Sequence, residues 1–263
     1  MDTLGLVYML VKVEFDRVPG SLFYQKFDEI SQSLRKDYPI SSPIKQIKTF
    51  SFEVQNASHD EEPKITAANI PMISFLSPDR EFGIKISDGF LIIHTKNYCG
   101  FSDLSERMRF ILDLLIKMYD ISYYSFLGMR YVNKIEYDEQ YEFNTKIDRT
   151  DFLQPLLCNW MRGGSNMSSS YYDNENQVAI TLNSGVMLNG PIVSPDLLET
   201  ASELIDPNKR LEGPVAHIDI DTSFALVDES KNPAMKLLVP DEIIQKMNTL
   251  RLVANNAYVN IFR

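Results

Sequence analysis

A chain of 263 residues that is 44% apolar and 11% aromatic carries enough apolar material for a substantial core, which excludes an intrinsically disordered chain. Its net charge of −10 and pI near 4.9 argue against nucleic-acid binding by the whole surface, because an acidic surface repels phosphate, and leave room only for a local basic patch. The two cysteines, Cys99 and Cys158, lie far apart without metal-ligand spacing and are too few for a secreted disulfide scaffold. The apolar run 4–11 follows no basic region and is too short for a signal sequence, and no run approaches about 18 apolar residues. The sequence is therefore read as cytoplasmic.

In chain order, residues 6–16 predict a strand rich in β-branched and aromatic residues. Pro19-Gly20-Ser21 then punctuates the chain. A helix is expected over 22–38, with Leu22, Phe23, Phe27, Ile30 and Leu34 on one stripe and Tyr38-Pro39 as its end. Strands follow at 44–55 and 64–76, joined by an acidic hairpin tip at 56–63. Ser77-Pro78-Asp79-Arg80 is a turn, and Asp88-Gly89 joins short strands at 81–87 and 90–96 into a hairpin. A helix after Phe101 is expected to use Ser102 as its N-cap, with Leu104, Met108, Ile111, Leu112 and Leu115 facing inward.

The second half opens with a strand at 126–138 and a short helix at 151–158 capped by Thr150. The loop Arg162-Gly163-Gly164-Ser165 precedes strands at 166–173 and 177–187, which Asp173-Asn174-Glu175-Asn176 joins as a turn. Residues 188–213 are the least regular, with room for a helical turn or two over 195–204. A strand at 214–226 and a helix at 240–258, with Pro240 in its first turn, end the chain.

One phrase occurs twice. Val11-Lys12-Val13-Glu14-Phe15-Asp16 returns 122 positions later as Asn133-Lys134-Ile135-Glu136-Tyr137-Asp138. With similar elements after each copy, this predicts an α+β fold of two similar β-α-β-β-β-β-α halves, 1–122 and 123–263, the second carrying an irregular insertion at 188–213. Each half is expected to form an antiparallel sheet with helices packed on one face. The order resembles the half-units of saddle-shaped duplicated folds, a likeness that carries no function.

Period-two alternation puts Lys12, Glu14 and Asp16 on one sheet face and Val11, Val13 and Phe15 on the other. Lys134, Glu136 and Asp138 likewise oppose Ile135 and Tyr137. If the copies lie side by side, the charged residues form a solvated, ion-paired face contributing about 0.2–1 kcal/mol per pair. The alternative is a concave surface that receives a partner.

Four sets of residues are candidate sites. His217, Asp219 and Asp221 share one strand face, as metal ligands would, yet side chains about 7 Å apart along a strand are too widely spaced to share one ion easily. Arg130, Tyr131 and Asn133 fall on both faces of their strand. Tyr131 and Asn133 share the buried face with Ile135, as a polar anchor between the halves or as contacts to a ligand at their junction. Trp160 and Arg162 are residue types enriched at binding hot spots. The charged strand face is the fourth. The glycine loop lacks the Lys-Ser/Thr of a P-loop, no nucleophile-elbow, zincin, kinase or dinucleotide motif is present, and the three histidines leave little material for acid–base work. No cofactor is implied.

Phe75-Leu76-Ser77-Pro78-Asp79-Arg80, residues 98–101, Leu127-Gly128-Met129-Arg130-Tyr131-Val132-Asn133-Lys134-Ile135 and Ile218-Asp219-Ile220-Asp221 together resemble a sporadically distributed prokaryotic family of uncharacterised proteins. Its hallmark is a mid-chain Arg-Tyr-(Ile/Val)-Asn strand, here Arg130–Asn133. The resemblance implies accessory genes such as defence or toxin–antitoxin loci, and brings no catalytic residues. The expected function is a non-catalytic protein-interaction or regulatory subunit with a partner encoded nearby. The alternative is a small-ligand-binding or hydrolytic module with its site between the halves.

Overall fold

A computed structural model describes residues 5–53, 64–136, 147, 163–226 and 234–261. The expected hairpin tip at 56–63, the helix at 151–158 with Thr150, and Trp160 and Arg162 lie outside the described residues.

The first half runs β1 (Leu6–Phe15), α1 (Gly20–Gln25), α2 (Phe27–Leu34), β2 (Ile40–Ser41), β3 (Lys45–Glu53), β4 (Lys64–Leu76), β5 (Phe82–Ser87), β6 (Phe90–Thr95) and α3 (Phe101–Tyr119). The second runs β7 (Tyr123–Glu136), β8 (Ser165–Asp173), β9 (Val178–Leu188), a 3-10 turn (Pro195–Leu197), α4 (Leu198–Ala201), β10 (Pro214–Ala225), β11 (Lys236–Leu237) and α5 (Pro240–Val259). The expected helix at 22–38 is two helices that meet at Lys26, whose φ of −90° and ψ of 0° leave the helical range. Lys26 N still donates to Leu22 O, and Ile30 N to Lys26 O, so the break is a jog rather than a turn. α3 is capped two residues earlier than expected: Gly100, at φ 121°, is its N-cap, and Ser102 sits inside the first turn reaching Glu106. A left-handed Asp120 stops the helix, its N–H donating to Ile116 O.

All strands belong to one eleven-stranded sheet in the order β2-β4-β5-β6-β1-β7-β10-β9-β8, with β3 also on β4 and β11 on β7. Every pairing between named strands is antiparallel. The sheet is thus continuous across the expected boundary at 122/123, where β1 lies against β7. Outward from this seam the order is β6, β5, β4 on one side and β10, β9, β8 on the other.

One alternation of side chains builds the main core. Met9, Val11, Val13 and Phe15 of β1, Leu127, Met129 and Tyr131 of β7, and Ile218 and Ile220 of β10 are buried together with the inward stripes of α3 and α5. α3 touches α5, and α5 lies on β7 and β10. The other face is not the solvated surface that alternation predicts. Residues 190–205 cross it, and Val193, Leu197, Ala201, Leu204 and Ile205 form a second apolar cluster with Tyr8, Leu76 and Val132. The segment that composition marks as irregular therefore acts as a cover. Its apolar residues Val193, Leu197, Ala201 and Leu204 recur three or four positions apart, and the short helical stretch over 195–201 turns that stripe onto the sheet.

The doubled charged phrase is not side by side either. The antiparallel register sets Lys12 opposite Gly128 and Leu6 opposite Asn133, so the copies run toward opposite ends of the seam. Lys12 pairs with Glu14 of its own strand, whereas Lys134 is buried.

Candidate functional site

The Arg130–Asn133 strand segment splits as its alternation requires. Tyr131 and Asn133 point into the main core. Tyr131 packs edge-on against Tyr98 with ring centroids 6.3 Å apart, and its hydroxyl has no hydrogen-bond partner among the described residues. Burial pushes its pKa far above that of an ordinary phenol. Asn133 Nδ2 donates to Ile218 O at 3.1 Å, while its Oδ1 has no partner. Asn133 therefore ties β7 to β10 within the second half, rather than one half to the other.

Arg130 points to the opposite, covered face, where it becomes a hub. Its Nε donates to Asp219 Oδ1 at 2.8 Å and a terminal nitrogen to Asp219 Oδ2 at 2.6 Å, a two-point clamp on a buried carboxylate. The guanidinium also reaches Asp196 in the 3-10 turn, and Ser194 Oγ donates to Asp219 Oδ2 at 3.1 Å. Burial opposes the charge of Arg130, but the hydrogen bonds to Asp219 and then Asp196 outweigh it and hold its pKa above the usual value. The side chain is 11% exposed, against 61% for Asp196. The cover is thus fastened to the sheet by one buried and one exposed carboxylate on a single arginine.

His217, Asp219 and Asp221 do share that face, opposite Lys134, Val132 and Arg130 of β7. They do not converge. Asp219 is occupied by Arg130. His217 Nε2 lies 3.3 Å from Asn166 Oδ1, and burial, with Lys134 nearby, pulls its pKa down to about 4. Among the described residues no set of three His, Cys, Asp or Glu side chains is placed to hold a metal ion. Among the described residues the Asp221 side chain, unlike those of its neighbours, makes no hydrogen bond or close ion pair. Burial raises its pKa to about 6, Arg130 working against the rise and Asp219 and Asp196 adding to it.

Asp221 lies at a cavity of about 250 Å³ that straddles the seam. β1 gives it Leu10 and Lys12, β6 Phe90 and Ile92, β7 Phe126, Gly128 and Arg130, and the cover Leu197 and Thr200. Lys12 Nζ stands 5.2 Å from the centre of the Phe90 ring and 5.9 Å from that of Phe126. Gly128 keeps this space open: a Cβ there would lie 2.8 Å from Phe126 Cζ and displace the ring.

A second polar cluster fastens the cover at its other end. Lys85 Nζ, buried in β5, donates to Glu203 at 2.9 Å and to Ser74 Oγ at 3.3 Å. Beside it Tyr8 Oη and His94 Nδ1 are 2.9 Å apart, and burial, aided by Lys85, pulls the His94 pKa down to about 3. Lys85 is thus shared between Glu203 on the cover and Ser74 on β4. Sequence reasoning missed Lys85, His94, Asp196 and Glu203. The signal available was a lone lysine in Phe82–Ser87 and a lone histidine in Phe90–Thr95, two strands otherwise fit for burial.

Among the described residues no helix is long and apolar enough to cross a membrane. No protein-family model and no curated protein matches this chain.

Proposed function

We propose that this chain is a non-catalytic binding protein and that a small ligand occupies the cavity at the β1–β7 seam. The observation that carries this reading is the cavity itself, to which both halves and the cover contribute and where Asp221 has no partner. Binding sites are concave, mostly apolar and furnished with a few polar groups, as this one is. A nucleophile paired with a base is missing around it among the described residues, which favours binding over hydrolysis. The reading is tested by thermal-shift screening of a chemically varied set of small molecules against the wild type and Thr200→Trp, which fills the cavity from its rim. Ligands of the site stabilise the wild type and not the variant. Hits that stabilise both equally overturn it.

A second reading, a regulatory subunit with a protein partner, has its own support. Tyr123, Met235 and Leu237, 48%, 50% and 59% exposed, lie together where β11 pairs with the start of β7. Exposed apolar clusters mark interaction surfaces. Membership of the sporadic prokaryotic family, and with it a defence or toxin–antitoxin locus, rests on the Arg130–Asn133 strand. A constant neighbouring gene whose product co-purifies with this chain, and is lost in a Tyr123→Ser, Leu237→Ser variant, is the expected result.

Internal duplication is part of the same proposal. Shifting β1 by the 122 positions that separate the doubled phrase superposes Met9 on Tyr131, and these two residues are direct partners across the seam. That register is the one a local two-fold axis at the seam requires. The mirrored strand order on either side supports it further.

A further inference from the structure

We infer that the seam cavity takes a small organic cation, a primary ammonium carried on an apolar or aromatic body. This rests on the ligand-binding reading above and names the class of ligand. The charged donors that line the cavity each have a carboxylate partner. Arg130 spends its hydrogen bonds on Asp219 and Asp196, and Lys12 is held by Glu14. An anion would find little to bind. The acceptor left over is Asp221, the lining carboxylate without a partner. Of the charged residues that line the cavity, Lys12 is paired with Glu14 and Arg130 with Asp219 and Asp196, which leaves the charge of Asp221 uncompensated.

The walls suit the same guest. Phe90 and Phe126 present ring faces that already attract the Lys12 ammonium, as aromatic faces attract cations. Leu10, Ile92 and Leu197 offer apolar contact to a short body. At about 30 Å³ for each water, 250 Å³ is the room of roughly eight waters, which suits a butyl- or benzyl-ammonium and not a nucleotide.

Binding to an ionised Asp221 also fixes the pH dependence. The charged groups around it are Arg130 on β7, Lys12 on β1, Asp219 on its own strand and Asp196 from the 3-10 turn; Thr181, its partner on β9, is uncharged. Affinity is therefore highest above pH 6 and falls about tenfold by pH 5, as Asp221 takes up its proton.

The test titrates the full chain at pH 7.5 with n-butylammonium, benzylammonium, n-butanol and butyrate, followed by amide NMR shifts. The ammonium ions are expected to bind at least about tenfold more tightly than butanol or butyrate, and Asp221→Asn to remove that preference. Asparagine keeps the shape and relieves a partly buried charge, so the variant folds, as a thermal melt will show. Butyrate or butanol binding as tightly as the ammonium ions, with Thr200→Trp abolishing it, sinks the cation and leaves the ligand site standing. Affinity unchanged in Asp221→Asn also sinks the cation. If no probe of any charge shifts the cavity residues, the ligand-binding reading falls with it.

Discussion

The two sides of the β1–β7 seam solve the same problem differently. On the second side Arg130 reaches diagonally to Asp219, the residue opposite Val132. On the first side Tyr8 reaches diagonally to His94, the residue opposite Leu10. A shift of 122 positions takes Tyr8 onto Arg130 and Leu10 onto Val132, so the two diagonals are equivalent under the proposed duplication. One is a charged clamp and the other a neutral hydrogen bond. Both are buried, and a segment of the cover lies against each, through Asp196 and Ser194 beside Arg130 and through Glu203 beside Lys85. The neutral diagonal leaves its charge to the separate Lys85–Glu203 pair. The charged diagonal draws a second carboxylate to Arg130 and leaves Asp221 alone at the cavity.

The comparison is broken most directly by removing one partner from each diagonal. Asp219→Ala strands a nearly buried guanidinium and should cost about 3–5 kcal/mol in chemical denaturation. His94→Leu loses one neutral hydrogen bond to Tyr8 and should cost about 1–2 kcal/mol. Equal costs would mean that the charged clamp contributes nothing beyond a neutral pair.

Asp221 should behave in the opposite sense to its neighbour two residues away. Its folded pKa, near 6, lies above the unfolded value, so ionisation penalises the folded state fully at pH 7 and above. At about 1.4 kcal/mol per unit, Asp221→Asn should stabilise the fold by about 2–3 kcal/mol at pH 7.5, a gain that disappears as pH falls toward 4. A melting curve that is unchanged at pH 7.5 would show that Asp221 is already compensated.

The two histidines sharpen the comparison through pH. His217 and His94 hold pKa values of about 4 and about 3, below the unfolded value, so the unfolded chain binds more protons as pH falls through 6.5. Stability present above pH 6.5 is lost on acidification, by about 2 kcal/mol for each histidine at pH 5. Asp221 works against this loss over the same range. In the His94→Leu variant the slope of stability against pH between 6.5 and 5 should fall by well over half, because Asp221 already offsets part of the loss. An unchanged slope would place the protons elsewhere.

Much of this fold could be read from the sequence because it is written in short-range patterns. Alternation in Leu6–Phe15 and Tyr123–Glu136 assigned the core-facing residues of both seam strands, and Asp88-Gly89 announced its hairpin. The covered face was not legible. Alternation separates polar from apolar side chains, but it cannot say that Lys12, Arg130 and Asp221 will meet a roof rather than water. That outcome depends on Leu197 and Leu204 returning across a sheet whose strand order no local pattern encodes. Arg130 was singled out with Tyr131 and Asn133 by adjacency in sequence. Its working partners, Asp196 and Asp219, lie 66 and 89 positions away.

The smallest effect separates fastening from folding. Asp196 is largely exposed, and an exposed carboxylate on an arginine is worth about 1 kcal/mol or less, so Asp196→Ala should hardly move the denaturation midpoint. Glu203, by contrast, neutralises a lysine that is buried, and Glu203→Gln should cost more, because the Lys85 ammonium keeps only Ser74. Both changes act on the cover, which holds its place through few apolar contacts outside the cluster of Val193, Leu197 and Leu204. Local opening can therefore become easier while global stability barely changes. Limited proteolysis of Asp196→Ala should cut within 188–213 faster than in the wild type at equal global stability. Equal cleavage rates would mean that the apolar cluster alone seats the cover, and that Arg130 serves Asp219 and the cavity rather than the segment above them.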